Sequence, residues 1–433
     1  MSITPGQILP LFVEKPAAGG RMIARVDGRV VLVSGAIPGE RLTARVERIG
    51  KGVVYAQAVS IEEASADRRD PFVDLLCGGC LYAHIAYPRQ LQIKAQVIAD
   101  AFARIGHLTL PDPVHVAGSR DDGYRMRARL HVRVRGVGFF REGTHEMCDA
   151  RATRQLLPET VDVLDRVAAG LQSLGVDQVR ELEVSENVDA SERVVHLDAA
   201  APVDPAQLAA MGQIAGLTGV TINRMSRVGQ DVGPAHVMAG NPYVTDVIEV
   251  AGHSIRLRRH VLAFFQGNRY LVGDLVAHVV GLVEPGSAVV DLYAGAGVFA
   301  VGAAIARAAR VTAVEGDGFA ALDLAFNAAA ANSGVEAIHE SVEAFTHAPH
   351  PQPATLIVDP PRTGMSREAL DGIVLLGPGT IIYVSCDVAT LARDSRRLID
   401  AWYVIRCVDG FDLFPNTPHV ETVVEMKKVG IPG

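Results

Sequence analysis

The chain has 433 residues, 49% of them hydrophobic and 21% charged, as is typical of globular proteins that bury a large core. This length predicts two or three domains. No apolar run reaches the ~20 residues that a membrane-spanning helix needs, and the N-terminus lacks a signal-peptide pattern. We therefore expect a cytoplasmic protein with no membrane partner. The net charge of −8 argues weakly against a nucleic-acid partner.

Residues 1–61 predict a small β-barrel. Three runs of alternating apolar and polar residues are separated by glycine and proline turns: RMIARVDGRVVLVSG, ERLTARVERIG and GVVYAQAVSI. Several short strands usually close into a barrel because closure removes exposed edges. OB-like barrels of this kind often bind RNA.

Residues 62–255 predict a mixed α+β domain. It begins with Cys77-Gly-Gly-Cys80 and a helix near 88–106 that can pack on the following domain. Arginine-rich strands, a helix near 161–174 and a turn-rich stretch at 229–243 come next. The arginines could bind phosphate or form a solvated face, and the pattern alone favours the latter. They are Arg120, Arg125, Arg127, Arg129, Arg133, Arg135 and Arg141.

Residues 256–433 predict an α/β domain with a Rossmann-like parallel sheet. Apolar strands at 288–292, 310–315, 355–359 and 380–385 alternate with helical patterns. The chain then ends in two strands joined by a turn.

A glycine-rich turn follows the first of these strands. Gly295 and Gly297 let the backbone turn tightly and approach a ligand, and Glu315 ends the next strand, where an acid can accept hydrogen bonds from ribose hydroxyls. The turn also fits ordinary helix–strand packing, and by itself it does not exclude NAD. A dinucleotide fold usually starts its domain with these glycines and needs no cysteine at a later strand end, so we favour a methyl donor.

Polar residues at three later strand ends predict the chemistry. Asp359 ends one strand, Cys386 follows another and Glu421 starts the last. A thiolate that adds to carbon 6 of uracil makes carbon 5 nucleophilic enough to take a methyl group, and a base must then remove the carbon 5 proton. Cys386 fits the nucleophile and Glu421 the base.

Simpler interpretations exist for each residue. A cysteine at a strand end is more often part of the core, a glutamate in a last strand is usually just exposed, and Asp-Pro-Pro also holds exocyclic amines in adenine-N-methylating enzymes. The alternatives are therefore an N-methyltransferase that uses Asp359 without Cys386 and Glu421, and a non-catalytic RNA-binding protein.

At these motifs the chain resembles the RNA 5-methyluridine methyltransferase family over nearly its whole length. The N-terminal piece GGRMIARVDGRVVLVSGAIPGERLTARV resembles a TRAM domain, and YRMRAR with GFFRE resembles the family's central domain. The catalytic-domain motifs are FFQGN (264–268), DLYAGAG (291–297), VEG (314–316), DPPR (359–362), SCDVATLARD (385–394) and HVE (419–421).

The resemblance implies S-adenosylmethionine-dependent methylation of uridine in RNA, with Cys386 as nucleophile and Glu421 as base. Asp359 would also hold the uracil edge of a base that has left its stack, and the arginines would contact phosphates. TRAM-like modules are commoner in the ribosomal RNA enzymes, so 23S rRNA is favoured and tRNA is the runner-up. We expect a monomer. The implied cofactor-binding residues are Gln266, Tyr293, Glu315 and Asp359.

The five cysteines depart from the iron–sulfur pattern of many relatives, Cys-x5-Cys-x2-Cys with a later fourth cysteine. Cys77 and Cys80 match the middle pair, the first ligand is missing, and the later ligand position falls at Thr153 rather than Cys148. Four thiolates normally hold such a cluster, so we expect a remnant of the site without a cluster. The odd count in a cytosolic chain also argues against a disulfide framework.

Overall fold

The computed structural model describes residues 3–133, 136–223 and 235–430. Arg135 of the arginine-rich stretch, and the part of the turn-rich stretch before residue 235, lie outside the described residues. Within the described ranges, no helix is long and apolar enough to cross a membrane.

The N-terminal unit is a closed five-stranded barrel with the strand order β1-β2-β3-β5-β4, which confirms the predicted OB-like barrel. Side chains alternate along β1, where Leu9, Leu11 and Val13 point into the barrel core and their neighbours face outward. The strands are β1 (Ile8–Pro16), β2 (Met22–Val26), β3 (Arg29–Ser34), β4 (Arg41–Gly50) and β5 (Val53–Glu63).

A helix and a short strand follow the barrel. Helix α1 (Tyr87–Ala101) continues as one π-helical turn (Phe102–Gly106), as predicted for 88–106, and β6 (His115–Ala117) comes next. Val97 and Ile98 of α1 pack into a core of the C-terminal sheet, and β6 forms the edge strand of that sheet. The C-terminal sheet therefore draws a helix and a strand from the stretch that the sequence places in the central domain.

The central unit is a seven-stranded sheet of order β13-β12-β11-β10-β7-β8-β9, covered by α2. Its elements are β7 (Arg127–Arg133), β8 (Gly136–Phe140), β9 (Met147–Asp149), α2 (Pro158–Ser173), β10 (Val179–Glu186), β11 (Arg193–Ala199), α3 (Pro205–Leu208), a 3-10 helix (Ala209–Gln213), β12 (Gly219–Ile222) and β13 (His236–Gly240). A separate antiparallel pair, β14 (Tyr243–Val250) and β15 (His253–His260), leads into the C-terminal unit.

The C-terminal unit is an eight-stranded sheet of order β18-β17-β16-β19-β20-β22-β21-β6, with helices on both faces. This confirms the predicted α/β architecture. The elements are α4 (Val272–Gly281), β16 (Ala288–Leu292), α5 (Val298–Arg307), β17 (Arg310–Glu315), α6 (Gly318–Ala331), β18 (Val335–His339), α7 (Val342–His347), β19 (Thr355–Val358), α8 (Arg367–Leu376), β20 (Thr380–Ser385), α9 (Val388–Asp400), β21 (Tyr403–Phe411) and β22 (Glu421–Lys428).

Burial on both faces explains why these strands are almost continuously apolar. Neighbouring residues on one strand enter opposite cores: Val289 packs toward α4, α5 and α6, and Val290 packs toward α1, α8 and α9. Strand order reverses between β16 and β19, which places a crevice at their carboxyl ends.

The cysteines correct the sequence-based expectation about disulfides. Cys77 and Cys148 form a disulfide, with Cα atoms 5.8 Å apart and a separation of 71 positions in sequence. The fold produces this contact because the residues around Cys77 bridge to Arg141, just before β9, which carries Cys148. Nothing in the local sequence around either cysteine signals that pairing.

Candidate active site

The carboxyl edge of the C-terminal sheet gathers the residues predicted for the site. Leu292 pairs with both Val314 and Val358 across the parallel strands, so the residues that follow each of them come to the same edge. Those residues are Tyr293, Glu315 and Asp359. A backbone hydrogen bond of 3.4 Å from Asp359 N to Leu292 O extends the pairing to the first residue of the DPPR motif.

Cys386 and Glu421 are placed opposite each other by strand register. Ser385 at the end of β20 pairs with Thr422 on the antiparallel strand β22. The next residue in each direction is Cys386 on one side and Glu421 on the other, although 35 positions separate them in the chain. The thiol is half-buried, whereas Glu421 is only 3% exposed.

The surroundings of Glu421 favour a reactive carboxyl group. Burial, together with the charge of Asp359, raises its pKa well above the usual value, and the positive charge of Arg362 opposes this shift. Its Oε1 atom has no hydrogen-bond partner among the described residues. A carboxyl group whose pKa is moved toward neutrality is a stronger base once ionised.

The thiol of Cys386 feels the same groups. Burial raises its pKa to about 11, the nearby charges of Glu421 and Asp359 also raise it, and Arg362 lowers it through its charge and a hydrogen bond. Sequence reasoning quoted Arg362 within DPPR but gave it no role. The sequence feature that could have indicated a role for Arg362 is its position, three residues beyond Asp359 on the loop that faces the end of β20.

Gln266 and Asp359 contact each other across the crevice. Gln266 Nε2 donates to Asp359 Oδ2 at 2.9 Å, and Gln266 is 5% exposed. Burial raises the pKa of Asp359 to about 7, with the hydrogen bond from Gln266 lowering it and the charge of Glu315 raising it. Asp359 can therefore act as donor or acceptor near neutral pH.

The glycine-rich turn between β16 and α5 is held by Glu315. One carboxylate oxygen accepts from Gly295 N at 2.7 Å, and the other accepts from Asp317 N at 2.7 Å. A carboxylate offers about four lone-pair sites, so both oxygens can still accept from ribose hydroxyls. Tyr293 begins this turn with φ of +60°, a conformation that is costly for a bulky side chain and is concentrated at functional sites.

The two glycines of the turn have different structural roles. A Cβ at Gly297 would lie 2.7 Å from Leu324 Cδ1, so this glycine lets α6 pack against the turn. A Cβ at Gly295 would meet, among the described residues, one atom within 4 Å, the Phe264 carbonyl oxygen at 4.0 Å. The surface at Gly295 thus faces open space in the crevice.

Asp291 lies beneath this turn with unsatisfied hydrogen-bonding capacity. It is fully buried, and neither carboxylate oxygen has a hydrogen bond of normal geometry within the described residues. Burial and the charge of Asp359 raise its pKa well above the usual value, and the Ala300 backbone N–H opposes them. S-adenosylmethionine carries a positive sulfonium and a ribose. Three features of this edge fit it: the buried carboxylate of Asp291, which is unpartnered in the described part of the chain; the open turn at Gly295; and Glu315 at the end of β17.

The arginine-rich strands do not form an open cationic face in the described residues. Arg127 pairs with Glu183, and Arg129 pairs with Glu181 at 2.7 Å. The other described arginines of the stretch have partners as well: Arg120 with Asp122, Arg125 with Gln155, Arg133 with the Val132 carbonyl, and Arg141 with Asp74. The arginines are close together in the sequence and could be seen there. The acidic residues beside them come from neighbouring strands and could not.

Cys80 and Thr153 lie next to the disulfide. The buried Cys80 Sγ is 4.0 Å from the Thr153 carbonyl oxygen, so both positions considered for the later cluster ligand, Cys148 and Thr153, are at this place in the fold. Two of the three sulfurs are joined to each other. Because four thiolates normally hold an iron–sulfur cluster, these residues do not fit one.

Comparison with known proteins identifies the family of this chain. Residues 222–429 match the family model described as tRNA (Uracil-5-)-methyltransferase, and residues 3–59 match the TRAM domain. A protein of Acidithiobacillus ferrooxidans named 23S rRNA (uracil(1939)-C(5))-methyltransferase RlmD is 32% identical, over 95% of this chain and 96% of that protein.

The chain belongs to the tRNA (uracil-5-)-methyltransferase family. Membership confirms the expected enzyme class, an S-adenosylmethionine-dependent RNA uracil-5 methyltransferase. An uncharacterized RNA methyltransferase of Thermosynechococcus vestitus is 30% identical over 96% of this chain and 97% of its own length. The RlmD protein of Halomonas elongata is 31% identical over 96% of this chain and 88% of its own length.

A solved structure shares the fold along most of the chain. The tRNA (uracil-54, C5)-methyltransferase of Pyrococcus abyssi, in complex with S-adenosyl-L-homocysteine, superposes with a TM-score of 0.75 at 24% identity, covering 96% of this chain and 99% of that one. This likeness confirms the fold class, with the barrel, the mixed central unit and the methyltransferase sheet in one chain.

Proposed function

We propose that this protein methylates carbon 5 of a uridine in 23S rRNA through a covalent bond between Cys386 and carbon 6. The observation that carries the proposal is the register of β20 and β22, which sets Cys386 opposite Glu421 beside the crevice lined by Asp359 and Glu315. Neither rival from the sequence, an N-methyltransferase or a non-catalytic RNA-binding protein, needs that pairing.

The residues at the crevice supply each step. S-adenosylmethionine, when bound, supplies a methyl group on a positively charged sulfur. The Cys386 thiolate forms a bond to carbon 6, and the electron pair of the carbon 5–carbon 6 double bond moves toward the carbon 4 carbonyl. Carbon 5 then takes the methyl group, whose bond to the sulfonium sulfur breaks and leaves its electron pair on that sulfur. Glu421 accepts the carbon 5 proton, the double bond re-forms, and the thiolate leaves carbon 6.

The remaining predicted residues orient the reactants. Glu315 and Tyr293 shape the glycine turn for the cofactor, and Gln266 fixes Asp359 at the boundary between the cofactor crevice and Cys386. In its protonated form Asp359 can donate a hydrogen bond to the uracil oxygen on which negative charge develops.

The barrel offers the better surface for RNA. Phe12 on β1 is 48% exposed, and the Arg41 guanidinium stacks 5.3 Å from its ring centroid. Exposed cations Arg29, Arg45 and Lys51 lie on the same barrel. Aromatic rings that stack on bases, flanked by positive charge, are typical of single-stranded RNA binding.

Trapping of the covalent complex tests the mechanism. With 5-fluorouridine RNA and S-adenosylmethionine, we expect a stable protein–RNA adduct, because fluorine on carbon 5 leaves no proton for Glu421 to remove. Cys386→Ala should form no adduct and keep less than about a thousandth of the activity. Glu421→Gln should accumulate the adduct even with ordinary uridine RNA. Gel electrophoresis under denaturing conditions measures the covalent adduct formed by each variant.

Cys407→Ala is the matched control for the nucleophile. Cys407 is also free and half-buried, and burial raises its pKa to about 11 as well, but it lies on β21. An adduct that survives in Cys386→Ala, or that disappears in Cys407→Ala, would contradict the assignment.

The RNA is identified by mapping 5-methyluridine in a deletion strain. We expect one or more 5-methyluridines to disappear from 23S rRNA while tRNA keeps its own. Loss confined to tRNA would transfer the proposal to tRNA, and an unchanged map of both RNAs would refute uridine methylation by this protein.

A further inference from the structure

The connection between β21 and β22, residues 412–420 and here named the base loop, leads directly into Glu421. Most of the base loop is buried, although His419 is exposed, and several other parts of the chain hold it, among them Asn268, whose Nδ2 donates to the Leu413 carbonyl at 3.1 Å. The register of β22 against β20 sets Glu421 opposite Cys386, and the base loop, which immediately precedes Glu421, holds the start of β22.

Asn416 is the centre of this anchoring. It is 3% exposed and has φ of +63°. Its backbone N–H donates to Gln90 Oε1 at 2.9 Å, and its side-chain oxygen accepts from Gln90 Nε2 at 3.0 Å and from Arg69 Nη2 at 2.7 Å. Its side-chain nitrogen donates to the Asp121 carbonyl at 3.1 Å, and its own carbonyl accepts from Tyr82 N at 2.8 Å. All the main polar groups of this residue are satisfied by distant segments.

The first half of the base loop is fixed to the same segments. Lys94 of α1 forms a buried ion pair with Asp412 at 2.5 Å and donates to the Phe414 carbonyl at 3.1 Å. The Tyr124 hydroxyl donates to the Pro415 carbonyl at 3.2 Å. Buried polar contacts of this kind are costly to break because the partner is left without a hydrogen bond.

Beyond Asn416, the side-chain hydrogen bonds of the described loop are local. Thr417 Oγ1 donates to the Phe414 carbonyl at 2.7 Å and accepts from His419 N at 3.1 Å. Asn416 is thus the last residue of the described loop that distant segments hold by side-chain hydrogen bonds before Glu421.

Cys386 is held independently of the base loop. It lies between the end of β20 and α9, whose N-terminus is capped by Asp387 accepting from Ala389 N at 3.0 Å and Thr390 N at 2.9 Å. A change in the base loop should therefore displace the base while leaving the nucleophile in place.

We propose that Asn416 is a positioning residue for Glu421, so that removal of the carbon 5 proton depends on it whereas formation of the sulfur–carbon bond does not. The inference rests on the proposed role of Glu421 as the base. It links the base to α1, to the segment that joins the barrel to α1, and to the start of the central unit.

Asn416→Ala tests the inference with the full-length protein and uridine RNA. We expect turnover to fall at least about tenfold, because small displacements of a reacting group are costly, and the methylated covalent adduct to accumulate as in Glu421→Gln. The rate of adduct formation with 5-fluorouridine RNA, and the affinity for S-adenosylmethionine, should stay near wild type.

Asn187→Ala is the matched control. Asn187 is 4% exposed and equally well bonded, donating to Ser191 Oγ and the Thr245 carbonyl at 3.0 Å each, but it lies in the central unit. We expect it to lose stability without accumulating adduct. Arg69→Gln, which removes one partly exposed partner of Asn416, should show an intermediate adduct level and serves if Asn416→Ala does not fold.

The outcomes separate the two proposals. Turnover that falls in Asn416→Ala without adduct, or adduct levels equal to those of Asn187→Ala, would refute the positioning role while leaving Glu421 as the base. If Glu421→Gln itself accumulates no adduct with uridine RNA, the proposed base is wrong, and the inference about Asn416 fails with it.

Discussion

At the scale of single residues, the site is built from groups whose charged forms are disfavoured. Burial comes first among the causes that raise the pKa of Cys386 and of Glu421, and the nearby carboxylates add to it. Arg362 is the neighbouring charge that acts in the opposite direction on both residues. Arg362 is exposed at the opening of the site. Its charge therefore stabilises the Cys386 thiolate from a solvated position rather than from a buried ion pair.

This charge balance predicts a rising pH profile. Because the pKa of Cys386 is about 11, the thiolate fraction should increase about tenfold per pH unit between about 7 and 9. The rate of adduct formation with 5-fluorouridine RNA should follow it. Arg362→Ala removes the group that lowers this pKa, so its profile should move to higher pH and its rate at neutral pH should fall.

Arg367→Ala is the control for this prediction. Arg367 is another exposed arginine nearby in the chain, 80% exposed at its side chain and paired with Asp371 on α8. We expect its profile to match wild type. A flat profile in the wild type, or identical profiles for Arg362→Ala and wild type, would show that thiolate formation does not limit the attack.

At the scale of elements, α6 fixes the cofactor turn through one side chain. Asn327 is 1% exposed and joins the turn to β15: its amide nitrogen donates to the Ala296 and Arg258 carbonyls at 2.8 Å, and its oxygen accepts from Arg258 N at 2.8 Å. Periodicity predicts the helix but not this bond, since the partners lie 31 and 69 positions away.

Asn327→Asp should therefore weaken cofactor binding. The carboxylate cannot donate to the two carbonyls, and leaving buried acceptors unsatisfied costs about 1–3 kcal/mol each. We expect a higher dissociation constant for S-adenosylmethionine by calorimetry and a lower free energy of unfolding. Asn332→Gly, at the end of the same helix where φ is +46° and glycine is favoured, should bind like wild type. Equal affinity of both variants for S-adenosylmethionine would show that the hydrogen bonds of Asn327 do not hold the cofactor turn.

The strands illustrate how much local sequence settles at this scale. Apolar runs bounded by glycine and proline identified β16, β17, β19 and β20 to within a residue, because parallel strands buried on both faces need continuous apolar residues. The edge strand β6 was missed: it has three residues and forms by pairing with β21, a partner far away in the chain.

At the scale of the whole molecule, the disulfide joins the segment after the barrel to the central sheet. Cys77 and Cys148 enclose a loop of 71 residues, and closing a loop of that size restricts the unfolded chain. The base loop contacts the same segment, since Tyr82 N donates to the Asn416 carbonyl at 2.8 Å, and it contacts the barrel, since a Cβ at Gly20 would lie 3.0 Å from Pro418 Cγ. The disulfide and the base loop thus belong to one assembly of contacts.

Cys148→Ser should lower the free energy of unfolding by about 4 kcal/mol, the loop-entropy value for this separation. Denaturant unfolding measures it, and a reductant should bring the wild type down to the variant while leaving the variant unchanged. Cys407→Ser replaces a free thiol on β21. A reductant should therefore lower its free energy of unfolding by the same amount as it does for the wild type. A wild type that reductant does not destabilise would contradict a stabilising disulfide.

The sequence by itself determined the class of fold, the enzyme family and the residues from which the candidate site is drawn, because strand patterns, the glycine turn and the motifs around Asp359, Cys386 and Glu421 are local. Which of them meet was decided by the tertiary structure. Register across β20 and β22 sets Cys386 opposite Glu421, acids on β10 pair with Arg127 and Arg129, and Asn416 is anchored by segments about 300 positions earlier. Such contacts depend on distances in space that spacing along the chain does not encode.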